Sequence, residues 1–136
     1  MRITEEQARG RFERSRAARL ATADQRAQPH LVPVTFALRG DEIAVAIDHK
    51  PKDTARLKRL RNIEENPRVS LLADHYEDDW TQLWWVRVDG AAGITETGQR
   101  PELVDALAEK YPQYRENRPD KALIVVEAER WNGWHY

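Results

Sequence analysis

The sequence has no cysteine in its 136 residues, which excludes a disulfide scaffold, a thiol nucleophile, a zinc ribbon and an iron–sulfur cluster. The same absence fits a reducing compartment, and a cytoplasmic location is expected. Nor is there an excess of charge of one sign: 22 Lys and Arg stand against 23 Asp and Glu, a formal net charge of -1. A dedicated nucleic-acid-binding domain would carry an overall basic excess, so no nucleic-acid partner is expected and any basic site must be local. Long apolar runs are missing too. None approaches the ~20 residues of a spanning helix, and MRITEEQARGRFERS lacks the apolar centre of a signal peptide, so no membrane span is expected. His30, His49, His75 and His135 show neither HxxxH nor HxH spacing, and without thiols that leaves no preformed metal site. There is no GxGxxG, no Walker loop, and no Gly-x-Ser-x-Gly elbow around Ser70. Any catalysis then rests on a bound cofactor, for which the protein supplies grip, orientation and exclusion of water.

What is present reads as one folded domain over residues 1–136, since the charges are mixed in sign and interleaved with apolar segments. Thr4-Glu5-Glu6-Gln7 has capping-box spacing, with Ile3 placed as a staple, and predicts a helix to about Arg14. The runs ARLATAD, PHLVPVTFAL and EIAVAI, separated by Asp24-Gln25-Arg26 and Arg39-Gly40-Asp41, predict a three-strand antiparallel meander. Pro29 and Pro33 lack ladder donors, so the second strand should hold an edge, a bulge or an unpaired stretch near Pro33. An open strand edge is a place for a ligand. Leu57, Leu60 and Ile63 give the segment from Thr54 to Glu65 one apolar stripe, and Asn66-Pro67 stops it. RVSLLADHY and QLWWVRVDGAAGI follow as strands, with a bend or bulge at Gly90 or Gly93. A helix from Gln99 to Tyr111 and a last strand, KALIVVEAERW, precede the tail NGWHY. This order suits a closed antiparallel barrel with helices packed outside, because no βαβ unit repeats.

The strongest local charge lies in residues 50–61, where Lys50, Lys52, Arg56, Lys58, Arg59 and Arg61 face one acid, Asp53. These cations straddle a helix start, where free backbone N–H groups and the helix dipole already favour an anion, with Asp53 or Thr54 as the cap. A phosphate or polycarboxylate ligand fits; a solvated basic helix face is the plainer reading. Trp84 and Trp85 are adjacent in a strand and must point to opposite faces, one to the core and the other to solvent, a partner chain or a ligand.

The residues Arg19-Leu20-Ala21-Thr22, Gln28 to Phe36, and Leu60-Arg61-Asn62-Ile63 through Asn66-Pro67-Arg68-Val69-Ser70-Leu71-Leu72 resemble the split β-barrel flavin and deazaflavin oxidoreductases, which include the pyridoxamine 5′-phosphate oxidase-like proteins. Asp74-His75-Tyr76 with Asp79-Trp80 and Leu83 to Gly90 is similar to a subgroup of probable F420-dependent enzymes. The resemblance covers residues 4 to 134. It implies a mainly β fold with flanking helices, an antiparallel Greek-key split barrel, and a homodimer that binds two cofactors at its interface. The cofactor would be coenzyme F420, with FMN as the alternative, and the activity hydride transfer to or from an unsaturated or quinone-like small molecule. A non-catalytic flavin- or deazaflavin-binding protein is the other reading. By the same resemblance the ring lies against Val32, Pro33, Val34 and Thr35. Arg59 falls at the family's basic position, with Lys58 beside it, and Lys52 assists from a connecting loop longer than in short relatives. His75 and Tyr76 match positions that border the tail or the partner's ring.

Overall fold

The computed structural model describes residues 1–48 and 57–136. In chain order they form α1 (Glu5–Arg14), β1 (Ala18–Ala23), β2 (Pro29–Val34), β3 (Ala37–Arg39), β4 (Glu42–Ile47), α2 (Lys58–Glu65), β5 (Arg68–His75), β6 (Trp84–Glu96), α3 (Pro101–Lys110), α4 (Pro112–Glu116) and β7 (Ala122–His135). The strands make one antiparallel sheet in the order β2-β1-β5-β6-β7-β4-β3. β2 and β3 lie at opposite edges yet are separated in the chain only by Thr35 and Phe36. The barrel is therefore closed by the polypeptide itself, through one long segment that leaves β1 and joins β4.

The segment PHLVPVTFAL, expected as one strand of a meander, is thus two half-strands with different partners. The interruption falls two residues after Pro33. β2 keeps an unbroken six-pair ladder with β1 through both prolines, so the prolines mark an edge and the kink has another cause. At the kink, the Phe36 N–H donates to the Tyr111 hydroxyl (3.1 Å), which donates to the Arg16 carbonyl (2.9 Å). The Thr35 and Tyr114 hydroxyls share a further bond of 2.8 Å. Tyrosines from the end of α3 and from α4 thus take over the polar groups that a ladder would otherwise use.

Thr4 and Gln7 form the expected capping box, with both bonds present, and Ile3 packs against the core. Inside the barrel, Leu20, Ile43, Leu71, Val86, Val88 and Ile124 are fully buried. Phe12 of α1 and Leu60 and Ile63 of α2 join the same cluster. α3 packs outside, where Leu103, Leu107 and Tyr111 cover Ala44 and Leu123. Gly90 sits at a bulge between β6 and β7, where a Cβ would stand 2.1 Å from the Glu127 carbonyl oxygen. The tail NGWHY is not a tail: β7 runs on to His135, pairing Gly133, Trp134 and His135 with Val86, Trp85 and Trp84. No helix among the described residues is long and apolar enough to cross a membrane.

Candidate functional site

Among the described residues β2 has a neighbour on one side only. In the hairpin turn the Asp24 N–H donates to the Gln28 carbonyl, and this fixes the parity of the β1–β2 ladder. Thr22–His30, Leu20–Val32 and Ala18–Val34 are the hydrogen-bonded pairs, and Pro29, Leu31 and Pro33 stand opposite their partners without bonds. The backbone groups of these three residues therefore face the open edge, which offers carbonyls and, between two prolines, one N–H, that of Leu31. Their side chains stand on the outer face of the barrel, where Leu31 is 66% exposed. Val32 packs against the core and Val34 is buried, so both hold the strand while its edge stays free.

α2 lies over the Ala23 end of β1. Asn62 and Thr22 are both buried, and the Asn62 Nδ2 donates to Thr22 Oγ1 at 3.0 Å. Thr22 in turn faces His30 across the ladder. Around this corner lie three buried polar atoms without a partner among the described residues: Arg59 Nε, one turn before Asn62, the Asn62 Oδ1, and His30 Nδ1. Burial pushes the Arg59 guanidinium below its ordinary pKa, with no carboxylate among the described residues to compensate for the water it has lost. An unpaired cation on the helix at the turn end of a donor-poor strand suits an anionic group on a ligand that lies along that strand's edge.

The other expected cofactor contacts are dispersed. Lys58 is turned to Asp24, with Nζ 3.6 Å from the carboxylate. That carboxylate sits below the usual range because the Gln28 and Arg26 backbone N–H groups donate to it. Lys52 lies outside the described residues, as do Lys50, Arg56, Asp53 and Thr54; α2 itself begins at Lys58 with Leu57 at its N-cap and no side-chain cap bond, so neither Asp53 nor Thr54 is its cap as expected. His75 and Tyr76 fall at the opposite end of β1 from α2: Arg19 pairs with Leu72, and His75 lies three residues further along β5. The His75 imidazole is bonded to Glu77, and Tyr76 is 62% exposed. Within one chain, Val34, Thr35 and His75 share one end of β1, and Lys58 and Arg59 the other.

Between these ends the outer face of β1, β5 and β6 carries two depressions. One, of about 340 Å³, is floored by small residues that include Ala21, Ala23, Ser70 and Gly90. The other, of about 490 Å³, is formed by Leu72, Tyr76, Trp85 and Arg87. Trp84 packs against the core while Trp85 lines the outer depression, as their adjacency requires.

Sequence reasoning missed Asn62, Thr22 and His30 as one corner, although all three lie in the stretches that carried the resemblance. It also passed over residues 9–19, which hold Arg9, Arg11, Arg14, Arg16 and Arg19 against a single acid, Glu13. That imbalance of charge is visible in the sequence itself.

The family model for pyridoxamine 5′-phosphate oxidase matches residues 4–135. A 5a,11a-dehydrotetracycline/5a,11a-dehydrooxytetracycline reductase of Streptomyces rimosus is 31% identical over 99 residues, spanning 70% of this chain and 68% of that protein. Among solved structures, a conserved hypothetical protein of Mycobacterium tuberculosis superposes with a TM-score of 0.77 at 25% identity, over 98% of this chain and 85% of that one. An FAD-binding protein of Mesorhizobium loti superposes with a TM-score of 0.75 at 19% identity, over 98% and 95% of the two chains, a likeness of fold.

Proposed function

The chain belongs to the pyridoxamine 5′-phosphate oxidase family, and from that premise we propose that it is an F420-dependent oxidoreductase acting on an unsaturated or quinone-like small molecule. The observation that carries this reading is the half-buried guanidinium of Arg59, unpartnered among the described residues, on the helix that adjoins the β1–β2 turn. The residues present fit such a cofactor. An orphaned cation calls for a phosphate, and the outward carbonyls of Pro29, Leu31 and Pro33 with the lone Leu31 N–H can hold the polar edge of a flat ring. When bound, the deazaflavin supplies the hydride chemistry that no side chain here provides.

In this reading Arg59 anchors the tail, with Lys58 and Lys52 assisting, and the ring lies against the stretch from Val32 to Thr35, where Pro33 offers its outward carbonyl and Val32 and Val34 hold the strand in place. No acid–base residue is required of the chain, because a solvent proton completes the reduction. The depression under Trp85 is closed by a second copy, which excludes water and brings its own His75 and Tyr76 to the ring. The reductase from Streptomyces rimosus supports the reaction class. The resemblance of residues 74–90 to F420-dependent enzymes supports the cofactor.

One observation favours FMN as a second reading. With Lys58 turned to Asp24, Arg59 is the one half-buried cation at this corner without a partner among the described residues, enough for a single phosphate. The test is purification followed by fluorescence titration. Colourless protein that quenches F420 more tightly than FMN supports the first reading, and yellow protein or tighter FMN binding the second.

A further inference from the structure

At the end of β1 away from α2, a cleft of about 550 Å³ opens between α1 and the ends of β1, β5 and β6, lined by Arg11, Arg14, Arg16, Arg19, His75 and Trp84, with Asp74 beside them. We propose that this cleft is a second anion-binding site, which takes a small molecule carrying two or more carboxylate or phosphate groups.

The cations come from three adjoining pieces of chain. Arg11 and Arg14 are three residues apart in the last turn of α1 and so share a face. Arg16 lies in the link to β1, and Arg19 on β1 itself. Two of them are held in place. The Arg16 guanidinium donates to the Lys110 carbonyl at 3.0 Å and lies 4.8 Å from the centre of the Tyr111 ring. Arg11 lies over the Trp84 indole at 5.4 Å. Side chains fixed in this way lose less freedom when a ligand arrives.

What makes this cluster available to an anion is that so many cations line one cleft with few acidic partners. Arg9, Arg68, Arg87, Arg100 and Arg118 are each closed by a carboxylate. Arg11, Arg14 and Arg16 have no such partner among the described residues, and Arg19 reaches Asp74 only at 3.6 Å. Glu77, the other acid near the cleft, is bonded to His75. Four guanidinium groups around one concavity repel one another, and a polyanion relieves that repulsion. Each offers the planar fork that pairs with two oxygens of a carboxylate or phosphate. Arg19 stands opposite Pro33 in the ladder, so the cleft opens beside the edge of β2, but the site is defined by its own residues and does not depend on the identity of the cofactor.

The experiment titrates citrate, and separately pyrophosphate, into the cofactor-free full chain and follows tryptophan fluorescence, with calorimetry as a second readout. The wild type should bind at least one of them saturably. The Arg14→Gln/Arg16→Gln variant should bind about tenfold or more weakly, the scale of a lost charge-assisted hydrogen bond, while a surface control, Arg26→Gln/Arg130→Gln, binds as the wild type does. Preference for citrate assigns the site to carboxylates, and preference for pyrophosphate to phosphates. Binding of neither anion, equal binding by the Arg14→Gln/Arg16→Gln variant, or an equal loss in the surface control would overturn the proposal. A failure of the cofactor reading shows separately, as wild-type protein that binds no deazaflavin.

Discussion

Asn62 on α2 donates a 3.0 Å hydrogen bond to Thr22 on β1, and both side chains are buried. This bond seats α2 on the barrel and so fixes where Arg59, one turn earlier, presents its guanidinium. Asn62→Ala leaves the Thr22 hydroxyl without its partner and should cost about 1–3 kcal/mol, read as a lower urea midpoint at unchanged slope. Thr22→Ser keeps the hydroxyl and should lose much less. Equal losses from both variants would mean that packing, not the bond, holds the helix.

The Tyr111 hydroxyl both accepts from the Phe36 N–H and donates to the Arg16 carbonyl. Tyr111→Phe should therefore destabilise by about 1.5–3 kcal/mol, one buried amide and one carbonyl losing their partner together. Amide exchange should show the Phe36 N–H opening in the variant ahead of the β1–β2 ladder. A Phe36 amide as protected as in the wild type would show that the kink is set by other contacts.

Lys110 yields a pH prediction. Its Nζ is buried without a hydrogen-bond partner, 3.7 Å from the Phe36 ring centre, and burial, with Arg16 adding repulsion, pushes its pKa down to about 8. Between about pH 8 and the ordinary lysine value near 10.5 the unfolded chain binds more protons than the folded one, so stability rises with pH across that window. Below it the folded protein bears the full cost of the charge. Lys110→Met should raise the melting temperature at pH 7 and abolish the rise above pH 8, as scanning calorimetry across the range would show. A flat wild-type profile there would contradict the assignment.

A homodimer is predicted from the large apolar side chains left exposed: Leu31 on the outer face of β2, Tyr76 at the Trp85 depression and Trp80 are 66%, 62% and 68% exposed. Apolar side chains of this size left in water usually meet a partner. Sedimentation at micromolar concentration should give twice the 15.9 kDa chain mass, and Leu31→Glu should shift the distribution toward the monomer. A wild-type protein that sediments only as a monomer would rule the dimer out.

Much of the fold was legible in the sequence because local chemistry and tertiary structure agree. The Thr4–Gln7 box, the Leu57, Leu60 and Ile63 stripe and the opposed faces of Trp84 and Trp85 depend on spacing alone, and spacing survives folding. The division of residues 29–39 between two sheet edges was not legible, since its cause, the hydroxyl of Tyr111, lies 75 residues from Phe36 in the chain. The candidate site was legible only in part. Arg59 could be placed on its helix by counting, but that Asp24 would draw Lys58 away, and that Arg59 Nε would be left buried without a partner, depends on how the β1–β2 turn meets α2. The arginines of residues 11–19 are legible in the sequence as an excess of charge but not as one site, because that charge is divided between a helix, a link and a strand.

The cofactor claim is tested most directly by fluorescence titration of F420 and of FMN into wild-type protein and Arg59→Ala. The wild type should bind F420 more tightly than FMN. Arg59→Ala should lose about 1.5–3 kcal/mol of F420 affinity, the worth of a hydrogen bond to a charged group, with no loss of fold stability, because the substitution removes a buried charge that has no partner. Unchanged F420 affinity in Arg59→Ala, or tighter binding of FMN by the wild type, would contradict the account.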